Sequence, residues 1–365
     1  MKKASHYFKI ITAKMLFLMI LPIWKFRKER CNRNCPGMVS VRDIDGGRYL
    51  RARIPDPIAL QTSKSLKKNA KYHAGCEVRF TVESPRIGYR VLYKKHATLS
   101  SLPLQSSSCI EFVMNGDRES RSYVAPNSIF DMSLDGVVEM SGNSNQLTLM
   151  LPTYAMIYDI LLFPVGDGKI DWAGLDNRKS LVVYGSSITQ GCAASSPGMS
   201  YANLVGKALD FRVENYGFSE SAHGEEVIAQ YISKRHGDIY ILEYDHNASL
   251  DHLRKTHFNF YSVVRESNPK SLIVVMSRFS GRLSLSEEEE RERIDVVFGT
   301  YAKAVKEGDK NIVFIDGSKA LIGTAEYFDD GVHPNDKGMF QISNVILSSV
   351  RRWMLDSAQT PVGSI

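Results

Sequence analysis

An apolar run, Leu181-Val182-Val183-Tyr184, stops abruptly at Gly185-Ser186-Ser187. A strand that ends in a tight small-residue turn presents Ser187 at the carboxyl edge of a parallel sheet, where α/β proteins place ligands and chemistry. A serine hydroxyl needs a base before it attacks. A base and an acid stand three residues apart far downstream, in Asp330-Gly331-Val332-His333-Pro334. The three residue types together fit acyl transfer. Ser187 would attack, His333 would take the proton and return it to the leaving alcohol, and Asp330 would fix the imidazole tautomer and stabilise the cation. Each residue also has a plain structural reading. A serine after a strand commonly caps a helix or turn, and His333 before Pro334 could simply turn the chain. Order along the chain, and placement at strand ends, favour the chemical reading.

The elements that must position these residues fall into two regimes. From about residue 38 to 166 the pattern is two-fold. Glu77 to Glu83 alternates strictly, Ile87, Tyr89, Val91 and Tyr93 keep the period, and so do Ile110, Phe112 and Met114 before a turn signal at Asn115-Gly116. Gln146–Leu151 and Met156–Phe163 are further strand candidates. Short strands with frequent turns predict an antiparallel β-sandwich, jelly-roll-like in style. Beyond a polar, glycine-containing linker at 166–178, strands alternate with helices. Strands are expected at Ser180–Tyr184, Arg212–Tyr216, Asp238–Tyr244, Ser271–Met276 and Asn311–Ile315. Helices are expected near Met199–Leu209, Glu225–Lys234, Asp251–Glu266, Glu287–Val305 and Lys337–Met354. This rhythm predicts an α/β fold over residues 178–356, a three-layer α/β/α (flavodoxin-like) arrangement on a parallel sheet.

Four segments in order resemble the SGNH, or GDSL-type, serine hydrolases: Gly185-Ser186-Ser187-Ile188-Thr189, Asn215-Tyr216-Gly217, Glu243-Tyr244-Asp245-His246-Asn247 and Asp330-Gly331-Val332-His333. The run Gly191 to Tyr201 is similar to the branch of that family in which a β-sandwich precedes the hydrolase domain. The resemblance covers roughly residues 178–353 and implies a Ser187, Asp330, His333 triad. It also implies an oxyanion hole from the amides of Ser187 and Gly217 and the side chain of Asn247. Three positions depart from the pattern. Ser186 replaces an aspartate, Asp245 stands where a glycine is usual, and Ala248 follows Asn247 where an acid is common. The implied activity is hydrolysis of a short acyl ester, acetyl for example, on a carbohydrate or other polar molecule. An acyltransferase on the same triad and a non-catalytic carbohydrate-binding protein on a hydrolase scaffold remain alternatives. The expected partner is an acylated small molecule or glycan, and serine acyl transfer implies no cofactor and no metal.

Composition bounds the rest. The 365 residues are 43% hydrophobic and 24% charged, enough for more than one packed core. Much of the net charge of +6 falls in a basic leader, residues 1–37, and no nucleic-acid motif accompanies it. Met15–Trp24 is apolar but short for a membrane span, and basic residues follow at once. The leader is read as a poorly ordered basic arm able to touch a membrane surface, or as a degenerate export signal, leaving cytoplasmic and exported placements open. Five cysteines do not imply a complete disulfide framework, and Cys31 and Cys35 lack a second pair at zinc spacing. Cys76 and Cys109 read as small core residues, and Cys192 as a loop residue. Glu287 to Arg293 reads as a solvated helix start with a capping pattern at Ser286 and Glu289, and His246 as a satisfied loop histidine. A dinucleotide-binding reading fails on the glycine spacing after Gly185.

Overall fold

The computed structural model describes residues 39–43, 50–97, 102–116, 120–172, 176–279, 285–321 and 325–359. The basic leader, with Cys31 and Cys35, lies outside the described residues. Among the described residues, nine strands build two antiparallel sheets: β1 Val39–Ser40, β2 Glu77–Val82, β3 Arg86–His96, β4 Ile110–Met114, β5 Arg121–Val124, β6 Ser133–Glu139, β7 Asn145–Met150, β8 Ala155–Pro164 and β9 Ile170–Trp172. Their orders are β1-β8-β3-β6 and β5-β4-β7-β2-β9. Alternate residues of both sheets meet in one apolar core, Val78 and Phe80 with Ile87, Val91, Leu149 and Ile160. Two differences from the sequence reading stand out. Ile170–Trp172 lies in the expected linker, yet pairs with β2 and packs Trp172 on Phe80 at 5.2 Å. Three residues are too few to display an alternation. The same region also holds three short helices, α1 Asp56–Ala59, α2 Lys64–Asn69 and α3 Leu104–Ser107. α1 and α3 each follow a proline, and α2 is capped by Ser63.

The second half is a five-stranded sheet of β10 Ser180–Gly185, β11 Arg212–Gly217, β12 Ile239–Glu243, β13 Leu272–Met276 and β14 Ile312–Ile315. Its order is β11-β10-β12-β13-β14, every pair parallel. The main helices are α4 Ser187–Gln190, α5 Tyr201–Leu209, α6 Glu226–Ser233, α7 Leu250–Ser267, α8 Glu287–Lys306 and α9 Asp336–Gln359. β10, β12 and β13 are buried along their whole length, as a sheet covered on both faces requires. Val182, Tyr184, Leu242 and Val275 pack on α6, α7 and α8. The intervening residues Leu181, Val183, Ile241 and Val274 pack on α5 and α9. This is the expected three-layer α/β/α architecture. β10 is the first strand of this sheet in the chain, and the next two, β11 and β12, flank it on opposite sides. The carboxyl end of β10 is therefore a topological switch point, and Ser187 sits there. No described helix is long and apolar enough to cross a membrane.

Candidate active site

β10 ends at Gly185, opposite Gly217 of β11 and Glu243 of β12. The chain then turns into α4, with Ser186 as N-cap: its Oγ accepts the Ile188 N–H at 3.2 Å. Ser187 is thus the first helical residue, where an amide has no intrahelical acceptor. Among the described residues the Ser187 N–H meets no acceptor, so it is free to bind a developing negative charge. α4 closes after one turn at Gly191, which takes φ 103°. That left-handed conformation favours glycine.

The Ser187 Oγ lies 2.9 Å from His333 Nε2. On the far side of the ring, His333 Nδ1 lies 2.7 Å from Asp330 Oδ2. An ionised carboxylate only accepts, so Nδ1 carries the proton and Nε2 is left to accept from Ser187. A local turn brings the acid and the base together. Asp330 Oδ1 accepts the backbone N–H of Val332 at 2.9 Å and of His333 at 2.8 Å, and Gly331 adopts φ 84°. Partial burial works against the charge of Asp330, but the bonds from the His333 ring and these two amides outweigh it, and its carboxyl is held below the usual value. The structure therefore brings Ser187, His333 and Asp330 into one hydrogen-bonded chain.

The remaining expected donors are placed differently. Asn247 Nδ2 donates to the Phe218 carbonyl at 3.1 Å, which leaves its second amide hydrogen for a ligand. The Gly217 amide is a correction. It was expected in the oxyanion hole, but it donates to Asn215 Oδ1 at 2.8 Å. Asn215, two residues earlier in the strand, folds its side chain across: Oδ1 takes this amide while Nδ2 reaches the Thr189 carbonyl at 2.6 Å. Gly217 is needed for space instead, since a Cβ there would collide with the Gln190 backbone.

Several supporting residues escaped the sequence reading. Gln190 Nε2 donates to the Thr153 carbonyl, and its Oε1 accepts the Ser219 amide, both at 3.0 Å. This ties α4 to the loop before β8 and to the loop after β11. Arg53 is buried and donates through Nη1 to the carbonyls of Asn215 and Gly217 at 2.8 and 2.7 Å. Burial lowers its guanidinium to about 10. Asp245, unusual at its position, is buried and paired with Arg293, whose Nη1 lies 2.7 Å from Oδ1. Arg293 Nη2 also reaches the Ala248 carbonyl at 2.9 Å. One charge of the expected solvated run thus turns inward to fix the loop carrying Asn247. Ser286 caps α8 as expected, accepting the Glu289 N–H at 3.1 Å. His246 Nε2 accepts the Phe279 amide at 3.0 Å, and burial keeps its pKa well below the ordinary histidine value. Burial also pushes the Cys192 thiol up to about 12, so that sulfur is protonated at neutral pH.

Residues 178–351 match the GDSL-like lipase/acylhydrolase family. No curated protein sequence matches the chain. Among solved structures, a protein titled a GDSL-like lipase from Bacteroides ovatus is 21% identical, with a TM-score of 0.75 over 83% of this chain and 92% of that one. The salicylyl-acyltransferase SsfX3 of a tetracycline biosynthetic pathway is 19% identical, with a TM-score of 0.70 over 90% and 97%. A family two carbohydrate esterase from Clostridium thermocellum, in complex with cellohexaose, is 15% identical, with a TM-score of 0.58 over 77% and 93%. At these identities the likeness is one of fold.

Proposed function

We propose, from the match of residues 178–351 to the GDSL-like lipase/acylhydrolase family, that the protein is a serine esterase that removes a short acyl group, such as acetyl, from a carbohydrate. The observation that carries this reading is the unbroken chain from Ser187 Oγ through His333 to Asp330, with contacts of 2.9 and 2.7 Å. Ser187 Oγ attacks the ester carbonyl carbon as His333 Nε2 takes its proton. The carbonyl oxygen becomes an oxyanion, met by the Ser187 N–H and the free amide hydrogen of Asn247. Collapse breaks the bond to the alcohol oxygen, which leaves with the proton from His333. Water then repeats the sequence on the acyl-serine and releases the acid. The carbohydrate assignment draws on the likeness to carbohydrate esterases. The paired antiparallel sheets are read as a brace, because the Thr153 carbonyl and Arg53 hold the elements on either side of Ser187.

The test is a screen of acetylated sugars and p-nitrophenyl acetate against wild type and Ser187→Ala. Wild type is expected to release acetate, and the variant to lose at least about four orders of magnitude in kcat with an unchanged fold. Full turnover by Ser187→Ala would refute the assignment. A second reading is acyl transfer to a hydroxyl acceptor, favoured by the near-complete coverage of the salicylyl-acyltransferase structure. Adding a glycan acceptor distinguishes the two: transfer gives an acylated acceptor in place of free acid.

A further inference from the structure

Beneath the nucleophile turn lies a carboxyl group that this chemistry does not use. Glu243 is the last residue of β12, across the ladder from Gly185, and it is fully buried. Its Oε2 accepts the Ser186 hydroxyl at 2.9 Å and the Thr189 hydroxyl at 2.7 Å. One oxygen therefore holds the residue before Ser187 and the residue two after it. Each hydroxyl is also used a second time. Ser186 Oγ caps the Ile188 amide, and Thr189 Oγ1 lies 2.6 Å from the Tyr201 hydroxyl, which must donate because the Thr189 proton goes to Glu243. Gly185 makes room for this arrangement, since a Cβ there would collide with Thr189 Oγ1 and the Glu243 carbonyl. Oε1 meets no donor among the described residues. His246 Nε2 stands 3.8 Å away, but its lone pair already accepts the Phe279 amide. A buried carboxyl without a paired cation is costly, and the bonds it does make all end on the turn that carries the nucleophile.

We propose that Glu243 is a positioning residue for Ser187, clamping both ends of the nucleophile turn so that Oγ stays aligned with His333 Nε2. It acts through Ser186 and Thr189 and touches neither His333 nor the ester. The inference rests on Ser187 being the nucleophile. A misplacement of about 1 Å at a reacting group costs on the order of 10²-fold in rate.

The test compares wild type with Glu243→Ala, Glu243→Gln, Thr189→Val and Ser187→Ala. Steady-state kinetics, the rate of Ser187 labelling by a fluorophosphonate, and the melting temperature are measured for each. Glu243→Ala is expected to lose about 10- to 100-fold in kcat with KM within about twofold, and labelling should slow by the same factor. In Glu243→Gln the side-chain oxygen still accepts both hydroxyls, so kcat should return to within about threefold of wild type. Thr189→Val removes one of the two grips and should lose roughly fivefold in both readouts. Should Glu243→Ala fail to fold, the Gln and Val variants decide the question: Gln fast with Val slow supports the clamp. Wild-type kinetics and labelling in Thr189→Val or Glu243→Ala, or a Gln variant as slow as Ala, overturn it. If Ser187→Ala is inactive in that case, only the clamp has failed. An active Ser187→Ala overturns the clamp together with the reading beneath it.

Discussion

Asp330 performs two tasks with two oxygens. Oδ1 builds the turn by accepting two backbone amides, and Oδ2 receives the His333 Nδ1–H. The Asp330→Asn variant would keep one carbonyl oxygen for the turn but aim an amide N–H at Nδ1, forcing the opposite tautomer. Nε2 would then carry the proton and could not accept from Ser187. The expected outcome is a loss of about four orders of magnitude in kcat with an unchanged melting temperature, the size seen when serine proteases suffer this inversion. Glu243 makes a separate prediction about stability. Burial, joined by the charge of Asp245, raises its carboxyl from 4.5 to about 7, and the Ser186 and Thr189 hydroxyls only partly offset this. A folded-state value above the unfolded one means that the native chain holds this proton more tightly. The stability linked to it is complete below pH 4.5 and is lost as pH rises through about 7. Glu243→Gln cannot ionise. In urea unfolding, its stability relative to wild type should therefore improve by on the order of 3 kcal/mol between pH 4 and pH 9. A difference independent of pH would contradict this.

At the scale of elements, β11 is the edge of the parallel sheet, and an edge strand exposes unpaired carbonyls. Arg53 covers it. Besides Asn215 and Gly217, it donates to the carbonyls of Tyr72 at 3.0 Å and Asn69 at 2.8 Å. Arg53→Ala should destabilise the protein by at least about 3 kcal/mol in urea unfolding, since four buried acceptors lose a charged donor. A change below about 1 kcal/mol would show that water or movement replaces it. The contrast with the sheet itself shows what a sequence can display. β10, β12 and β13 were legible because strands buried on both faces are written as continuous apolar runs. Ser187, Asp330 and His333 stood out because acyl transfer needs those residue types, and the structure brings them into hydrogen-bond contact. Arg53, Glu243 and Arg293 did not stand out. A charged residue reads as solvent-facing until its partner is known, and Arg53 finds one of its partners 164 residues away. Gly217 misled for a related reason. It stands at the carboxyl end of β11, but a side chain two residues earlier takes its amide.

At the scale of the molecule, the paired antiparallel sheets and the parallel sheet share polar contacts that neither would satisfy alone. Glu111 of β4 is buried and accepts the Ser196 hydroxyl at 2.7 Å and the Gly198 amide at 2.8 Å. Arg178, just before β10, pairs with Glu77 of β2. Gln190 and Arg53 join the two halves directly at the turn carrying Ser187 and at β11. Residues 176–359 expressed alone are expected to lose the proposed ester hydrolysis, and a fully active fragment would show that the antiparallel sheets are dispensable for it. The most direct measurement of the central claim is mass spectrometry of the full chain after treatment with a fluorophosphonate. Ser187, activated by His333, should carry a single stoichiometric adduct, and His333→Ala should abolish it. No adduct at Ser187, or one formed equally fast in His333→Ala, would contradict it.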